Sequence, residues 1–312
     1  MKVFLLRMVL LIFKFFETQC FKRVLCIVRI MPEKIDPVGG QALIEGVMMR
    51  SKSKIAMSAR TSSGKIVTKV INHNPMNARF PWSIPVVRGA IGMVDMLIVG
   101  FKALNWSADQ QLGKEEKIGN KEMIGTTVIA LVGTLALFVV LPYYLTTFFS
   151  TPNTTLFHVI DGVIRFLLFL AYITVISLMK DVRTLYEYHG AEHKTVHCHE
   201  AGLKLTPENV LKFPKEHPRC GTSFIIIVLG ISIITFSIAK TNSTLLNILA
   251  RIILMPVIAG ASYELLRLCG KYPKNKLLMA VATPGLWMQK ITTREPNKKQ
   301  AEVAIMALKK AL

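Results

Sequence analysis

Apolar residues in this chain gather into long unbroken runs more than into short alternating stretches. Four runs stand out, at residues 123–148, 156–179, 222–239 and 245–265. Each approaches the roughly 20 residues that a helix needs to cross the hydrocarbon core of a bilayer. The first and third carry no charge. The second has Asp161 and Arg165 near its start, and the fourth has Arg251 inside and Glu264 at its end. Asp161 and Arg165 lie one helical turn apart, a spacing that suits a structural ion pair. Pro142 and Pro256 mark positions where a helix can kink.

Upstream of the runs the pattern changes. Ile55–Arg60 and Ile66–Ile71 are short β-like stretches joined by a connection containing Gly64, which predicts a hairpin. The preceding segment GGQALIEGVMMR (39–50) opens on Gly39 and Gly40, a pair that suits a positive-φ turn or a close backbone approach. Glu45 in that segment can face a site, though nothing local requires it. Residues 85–105 are apolar but contain Arg88, Asp95 and Lys102, so a surface-lying or partly re-entrant helix packed on the bundle is expected there. Residues 107–122 read as a polar linker. Residues 1–31 mix apolar residues with basic ones, among them Arg7, Lys14, Lys22, Arg23 and Arg29, and read either as an interfacial basic helix or as a segment ahead of a start at Met31. After the last run come Trp287, suited to a membrane interface, and an amphipathic helix beyond Pro296.

The expected fold is therefore mainly α: a polytopic membrane helix bundle of about four transmembrane helices with a small cytoplasmic β-containing N-terminal region. The expected divisions are 1–31, 32–122, a bundle at 123–266 holding a loop at 180–221, and a tail at 267–312. Composition agrees, with 52% hydrophobic residues and a mean hydropathy of +0.43. The net charge of +20 is also a signature of nucleic-acid binding. Here the charges lie between the apolar runs, and no basic-aromatic pattern of a nucleic-acid module is visible, so the lipid bilayer is the expected partner and nucleic acid is not. Residues 149–155 carry no Lys or Arg and 240–244 carry only Lys240, whereas 50–121, 180–219 and 267–310 are rich in both. By the positive-inside rule, both termini and the 180–221 loop face the cytoplasm. Five cysteines, an odd number, do not suggest a disulfide framework and fit a reducing compartment.

One polar stretch stands apart. Residues 186–200, YEYHGAEHKTVHCHE, hold four of the seven histidines. If the chain stays helical past the second span, His189, Glu192 and His193 fall at i, i+3 and i+4 on one face, and His197 and Glu200 extend the stripe. Two histidines one turn apart can reach a single metal ion, and Glu192 can act as the general base beside it. His-x-x-Glu-His is the ligand order of the inverted zinc-protease motif. A third ligand is open between Glu264, expected at the same membrane face, and the pair His217 and Cys220. A His/Cys set favours a closed structural site, and a His/Glu set with an open position favours hydrolysis. Cys198 and His199 look peripheral, and His73 and His158 receive no role. Pro218-Arg219 offers a turn and a cation for an anionic group or a lipid headgroup.

Five separated segments, GGQALIEGVMMR (39–50), YEYHGAEHKTVHCHE (186–200), HPRCGTSF (217–224), YELLR (263–267) and PGLWMQKITTREP (284–296), resemble the bacterial YqhQ-like integral membrane family. Its members are predicted metal-dependent enzymes, and the resemblance runs from about residue 36 to about residue 300. It implies an integral protein of the bacterial inner membrane with a metal-associated role carried by His189, Glu192, His193, His217 and Cys220. The leading functional expectation is a zinc-dependent membrane hydrolase acting at the cytoplasmic face on a membrane-protein or lipid-linked substrate. The metal ligands are drawn from His189, His193, His217, Cys220 and Glu264, with Glu192 as base. Two other classes stand beside it: a non-enzymatic scaffold or assembly factor with a structural metal site, and a transporter. Sparse charges within the spans and the lack of a visible inverted repeat weigh against the transporter. The sequence leaves the oligomeric state open.

Overall fold

The computed structural model describes residues 38–312 except 79, 113–119, 152–153, 240–242 and 273–274. The expectations for residues 1–31 fall outside the described residues, as does part of the 107–122 linker. Four antiparallel strands open the described chain: β1 (Gly39–Leu43), β2 (Gly46–Arg50), β3 (Lys54–Arg60) and β4 (Ile66–Asn72). They form a meander in sequential order. The hairpin of β3 and β4 is the one expected from alternation. β1 and β2 add a second, tighter hairpin whose turn places Glu45 at φ 50°.

Ten α-helices follow among the described residues: α1 (Val87–Asp109), α2 (Asn120–Leu135), α3 (Leu141–Thr147), α4 (Thr155–Ile176), α5 (Lys180–Glu200), α6 (Pro207–Leu211), α7 (Gly221–Ile238), α8 (Thr244–Lys271), α9 (Lys276–Thr292) and α10 (Lys298–Ala311). Among the described residues, four stretches are long and apolar enough to cross a membrane: Gly125–Thr147, Thr155–Ile176, Gly221–Ile238 and Leu249–Lys271. They coincide with the four apolar runs, and the protein is a helical membrane protein with a small N-terminal β-sheet. Side chains such as Ile129, Leu167 and Ile252 stay exposed along these helices, as lipid-facing residues do.

The first span contains a π-helical turn, Ala136–Val140, between α2 and α3. Its cause is legible. Pro142 has no N–H to give to the carbonyl of Phe138, four residues earlier. Arg165 on α4 supplies the missing donor, its Nη1 lying 2.9 Å from Phe138 O. The same guanidinium grips Asp161 with two bonds of 3.1 Å, and Arg251 on α8 approaches Asp161 at 3.4 Å. The expected Asp161–Arg165 pair is thus part of a larger knot that ties three spans together inside the apolar layer.

The sheet is covered on both faces. Val47, Met49 and Ala56 pack with Tyr188 and Ala191 of α5 and Val303, Ala304, Ala307 and Leu308 of α10. Leu43, Met48, Ile55 and Met57 point the other way, onto Ala103 of α1. Alternate residues of one strand therefore enter two different cores, as the two-residue period requires. α1 runs from this core to the bundle, where Gly89 meets Gly260 of α8 closely enough that a Cβ would clash. The expected helix at 85–105 is thus packed on the bundle at one end and under the sheet at the other. Asp95 on α1 joins them further, bonding Arg50 at 3.0 Å and His73 at 2.9 Å.

Residues 267–312 are drawn into the fold rather than trailing from it. α9 packs along α7, and α10 lies on β2, β3 and α5. Asn297 caps α10 in a capping box with Gln300, and Lys309 and Lys310 complement the dipole at its other end. Such a cap contributes on the order of 1 kcal/mol. The amphipathic face of α10 is spent on the sheet.

Candidate metal centre

α5 is the element on which the site is built. The span helix α4 stops at Ile176, and the chain turns through Ser177–Met179 before α5 begins. Helical geometry then holds without a break across residues 180–200, so the stripe His189, Glu192, His193, His197 and Glu200 lies along one side. Tyr188, Ala191 and Val196 lie on the side turned toward the sheet and α10. Tyr188 also gives its hydroxyl to Glu45 at 3.0 Å, so Glu45 anchors α5 to the β1–β2 turn rather than entering the site.

His189, His193 and Cys220 converge, with one ligand atom from each lying within 4.8 Å of the others. His189 Nε2 stands 3.2 Å from Cys220 Sγ. The opposite nitrogen of each histidine is fixed by a backbone carbonyl: His189 Nδ1 donates to Thr292 O at 2.9 Å, and His193 Nδ1 donates to Lys215 O at 2.5 Å. With Nδ1 carrying the proton, both Nε2 lone pairs are left for a ligand, which is how metal-binding histidines are usually oriented. Cys220 is the N-cap of α7, with Thr222 N–H 3.5 Å from its sulfur. A helix N-terminus favours negative charge at that position.

Glu192 flanks the triad, its Oε2 lying 3.4 Å from His193 Nε2. It is buried, and burial pushes its carboxyl up to about 7, against the opposing pull of His189, Arg219 and the backbone N–H of Gly40. Gly40 of β1 lies so near that a Cβ there would sit 2.7 Å from Glu192 Cγ and 2.6 Å from Met48 O. Of the paired glycines, Gly40 thus serves a close approach, while Gly39 has nothing within 4 Å. Gly190 serves another: a side chain at that position would strike the carbonyl of Arg294.

The structure separates the sequence-predicted ligands into three places. His217 joins His197 and Glu200 in a second group with metal-compatible spacing. Hydrogen bonding gives this group a different character. The Arg219 N–H approaches His217 Nδ1 at 3.2 Å, so His217 carries its proton on Nε2, which points at Glu200 Oε2 3.5 Å away. Arg219 also pairs with Glu200. Burial opposes the Glu200 charge, but His217 and Arg219 outweigh it and hold the carboxyl below its usual range. His217 itself is driven down to about 4, chiefly by burial. His197 donates Nε2 to Glu216 O at 2.8 Å and is also shifted down by burial. His193 and His217 rings lie 5.7 Å apart, so the second group buttresses the first.

Glu264 is elsewhere. Arg88 of α1 grips it with bonds of 2.6 and 2.5 Å, and these bonds hold the guanidinium further into its charged form. Its carboxylate is occupied at the α1–α8 contact and is not gathered with the histidines. Gln289 was not foreseen. Fully buried on α9, it accepts from His217 N at 2.7 Å and donates to His217 O at 2.9 Å, clamping the loop that carries Lys215 and His217. Its only sequence signal is a polar residue inside the apolar segment PGLWMQK.

A family profile described as a protein of unknown function (DUF1385) matches residues 84–312. The chain is 32% identical over 300 residues to the uncharacterized protein YqhQ of Bacillus subtilis (strain 168), covering 89% of this chain and 93% of that relative. No solved structure matches it. Both comparisons agree with the motifs read from the sequence, and the chain belongs to the DUF1385, YqhQ-like family.

Proposed function

We propose that this protein is a metal-dependent membrane hydrolase whose ion, zinc by the chemistry of its donors, is held by His189, His193 and Cys220. The observation that carries the reading is the shared orientation of the two histidines. Each gives Nδ1–H to a backbone carbonyl; His189 turns its Nε2 toward the Cys220 sulfur, and His193 offers a ligand atom within 4.8 Å of both. Three protein donors leave a fourth position, as in catalytic zinc sites. A divalent ion there supplies Lewis acidity toward a carbonyl or phosphoryl group. Glu192 stands beside that position and takes a proton from the attacking water at a carboxylate oxygen. Gly40 N–H holds the carboxylate in place, and burial keeps its proton affinity near neutrality. Arg219 and Glu200 orient His217 behind the site. The distribution of lysine and arginine supports a location in the bacterial inner membrane with both termini and this site on the cytoplasmic side. A membrane-embedded peptide or a lipid-linked molecule is the substrate class nearest to hand.

The burial of His193 and Cys220 favours a second reading, in which the ion only braces the loop of a scaffold or assembly protein. The two readings part at Glu192→Gln. Hydrolysis requires that this variant keep its metal and fold while cells carrying it show the phenotype of the deletion. A silent Glu192→Gln beside a destabilised His193→Ala would favour the scaffold. A reporter fused at residue 151 tests the orientation, and a cytoplasmic signal there would invert it.

A further inference from the structure

A cavity of about 500 Å³ lies behind the histidine site, between the end of span α4, the start of α5 and the end of α9. Thr174 and Ser177 line it at the end of the span. Arg183, Lys215, Lys290 and Arg294 also line it, against two carboxylates, Glu187 and Glu295. Each carboxylate has its shortest bond to a residue outside the lining. Glu295 pairs with Lys194 at 2.7 Å, and Glu187 accepts from Gln300 at 2.8 Å, with Arg183 further off at 3.9 Å. Among the described residues, no carboxylate pairs with Lys290 or Arg294. Arg294 is held at Nη2 by Ser177 O at 3.4 Å, while its Nε is buried with no hydrogen-bond partner. A buried guanidinium donor without an acceptor is costly, and the four cations of the lining face only two carboxylates.

Depth in the membrane narrows the ligand. Trp287, 65% exposed on α9, sits one turn before Lys290 and Ile291. Leu178 and Met179, 79% and 57% exposed, follow Ser177 directly. An exposed tryptophan beside exposed apolar residues marks the headgroup layer. We infer that this cavity binds a phosphate group, with Arg294 and Lys290 as its principal donors, and that a membrane phospholipid presents it. Guanidinium and ammonium groups suit phosphate oxygens, and the excess of cations in the cavity suits an anionic headgroup. The inference stands whether or not the histidine site holds metal. Two backbone links connect the sites: Lys215 and the 292–294 segment line or border the cavity, and their carbonyls orient His193 and His189.

The test uses the full chain purified in detergent and depleted of lipid. Phosphatidylglycerol binding is read by native mass spectrometry, and inorganic phosphate binding by calorimetry. The wild type should bind added phosphatidylglycerol and release it as inorganic phosphate is added. Affinity should fall about tenfold in Arg294→Gln and in Lys290→Gln, the loss expected for one charge-assisted contact. Lys290 is exposed, so its variant should melt as the wild type does and keeps the test valid should Arg294→Gln misfold. Variant-sensitive binding of inorganic phosphate that phosphatidylglycerol fails to displace would keep the phosphate site and overturn the lipid source. Equal binding of both ligands by wild type and Lys290→Gln, or no binding of either, would overturn the proposal.

Discussion

The pairing of Arg88 with Glu264 makes a sharp prediction, because it removes a carboxylate that the sequence offered as a metal ligand. The Glu264 side chain is 9% exposed and that of Arg88 20%. Arg88→Met would leave a buried carboxylate unpaired. Breaking a fully buried pair costs about 3–5 kcal/mol, and partial exposure of this one brings the expected loss to about 2–3 kcal/mol. Glu264→Met leaves a cation closer to water and should cost about 1–2 kcal/mol. The double variant loses no further charge balance and should resemble the milder single change. A double-mutant cycle should therefore show a coupling on the order of 2 kcal/mol. Thermal unfolding in detergent, followed by fluorescence-detected size exclusion, should place Arg88→Met on the order of 5 °C below the wild type and the double variant partly restored. Bound metal should not change in Glu264→Gln. Additive effects, or loss of metal in Glu264→Gln, would refute the reasoning and return Glu264 to the ligand set.

Gly40→Ala should lower stability by about 1–3 kcal/mol, because its Cβ meets the fixed carbonyl of Met48 as well as Glu192, whereas Gly39→Ala, with nothing within 4 Å, should melt as the wild type does. Equal melting of both variants would contradict the close approach. Arg165→Leu should cost about 2–4 kcal/mol, since it orphans Phe138 O and half-strips Asp161. Arg165→Lys should recover little, because one ammonium cannot serve both partners, and full recovery would argue against the dual role. For metal-free protein, Glu192 has a folded value of about 7 against an ordinary 4.5, so the folded state binds the extra proton. Its contribution is complete below pH 4.5 and is lost as pH rises through 7, on the order of 3 kcal/mol in all. The stability advantage of Glu192→Gln should accordingly grow with pH across that window, and a pH-independent difference would count against it.

The spans were legible because lipid imposes a one-dimensional code: a helix of about 20 apolar residues needs no partner to be recognised. The hairpin of β3 and β4 was legible from alternation and Gly64. β1 and β2 were less so, because each has only five residues, β2 is buried on both faces and β1 is half-buried along most of its length. Gly40 was readable as a close approach, but not what it approaches, since Glu192 lies 152 residues away. His189 and His193 were placed by helical spacing alone. The split of His217 from Cys220 was not readable, because it turns on which nitrogen the Arg219 N–H meets. Arg88 and Glu264 come from opposite ends of the chain, and neither carries a local sign of the other. Gln289 and Arg294 looked like residues of a tail until α9 and the 293–296 segment closed over the loop.

The central claim is a site made of two histidines and one cysteine. X-ray absorption at the zinc edge of purified protein tests it most directly. The account predicts about one zinc per chain, with one sulfur near 2.3 Å and two histidine nitrogens at about 2.0–2.1 Å. The sulfur should vanish from the shell in Cys220→Ser. Protein without stoichiometric metal, or with a metal shell that lacks sulfur, would contradict it.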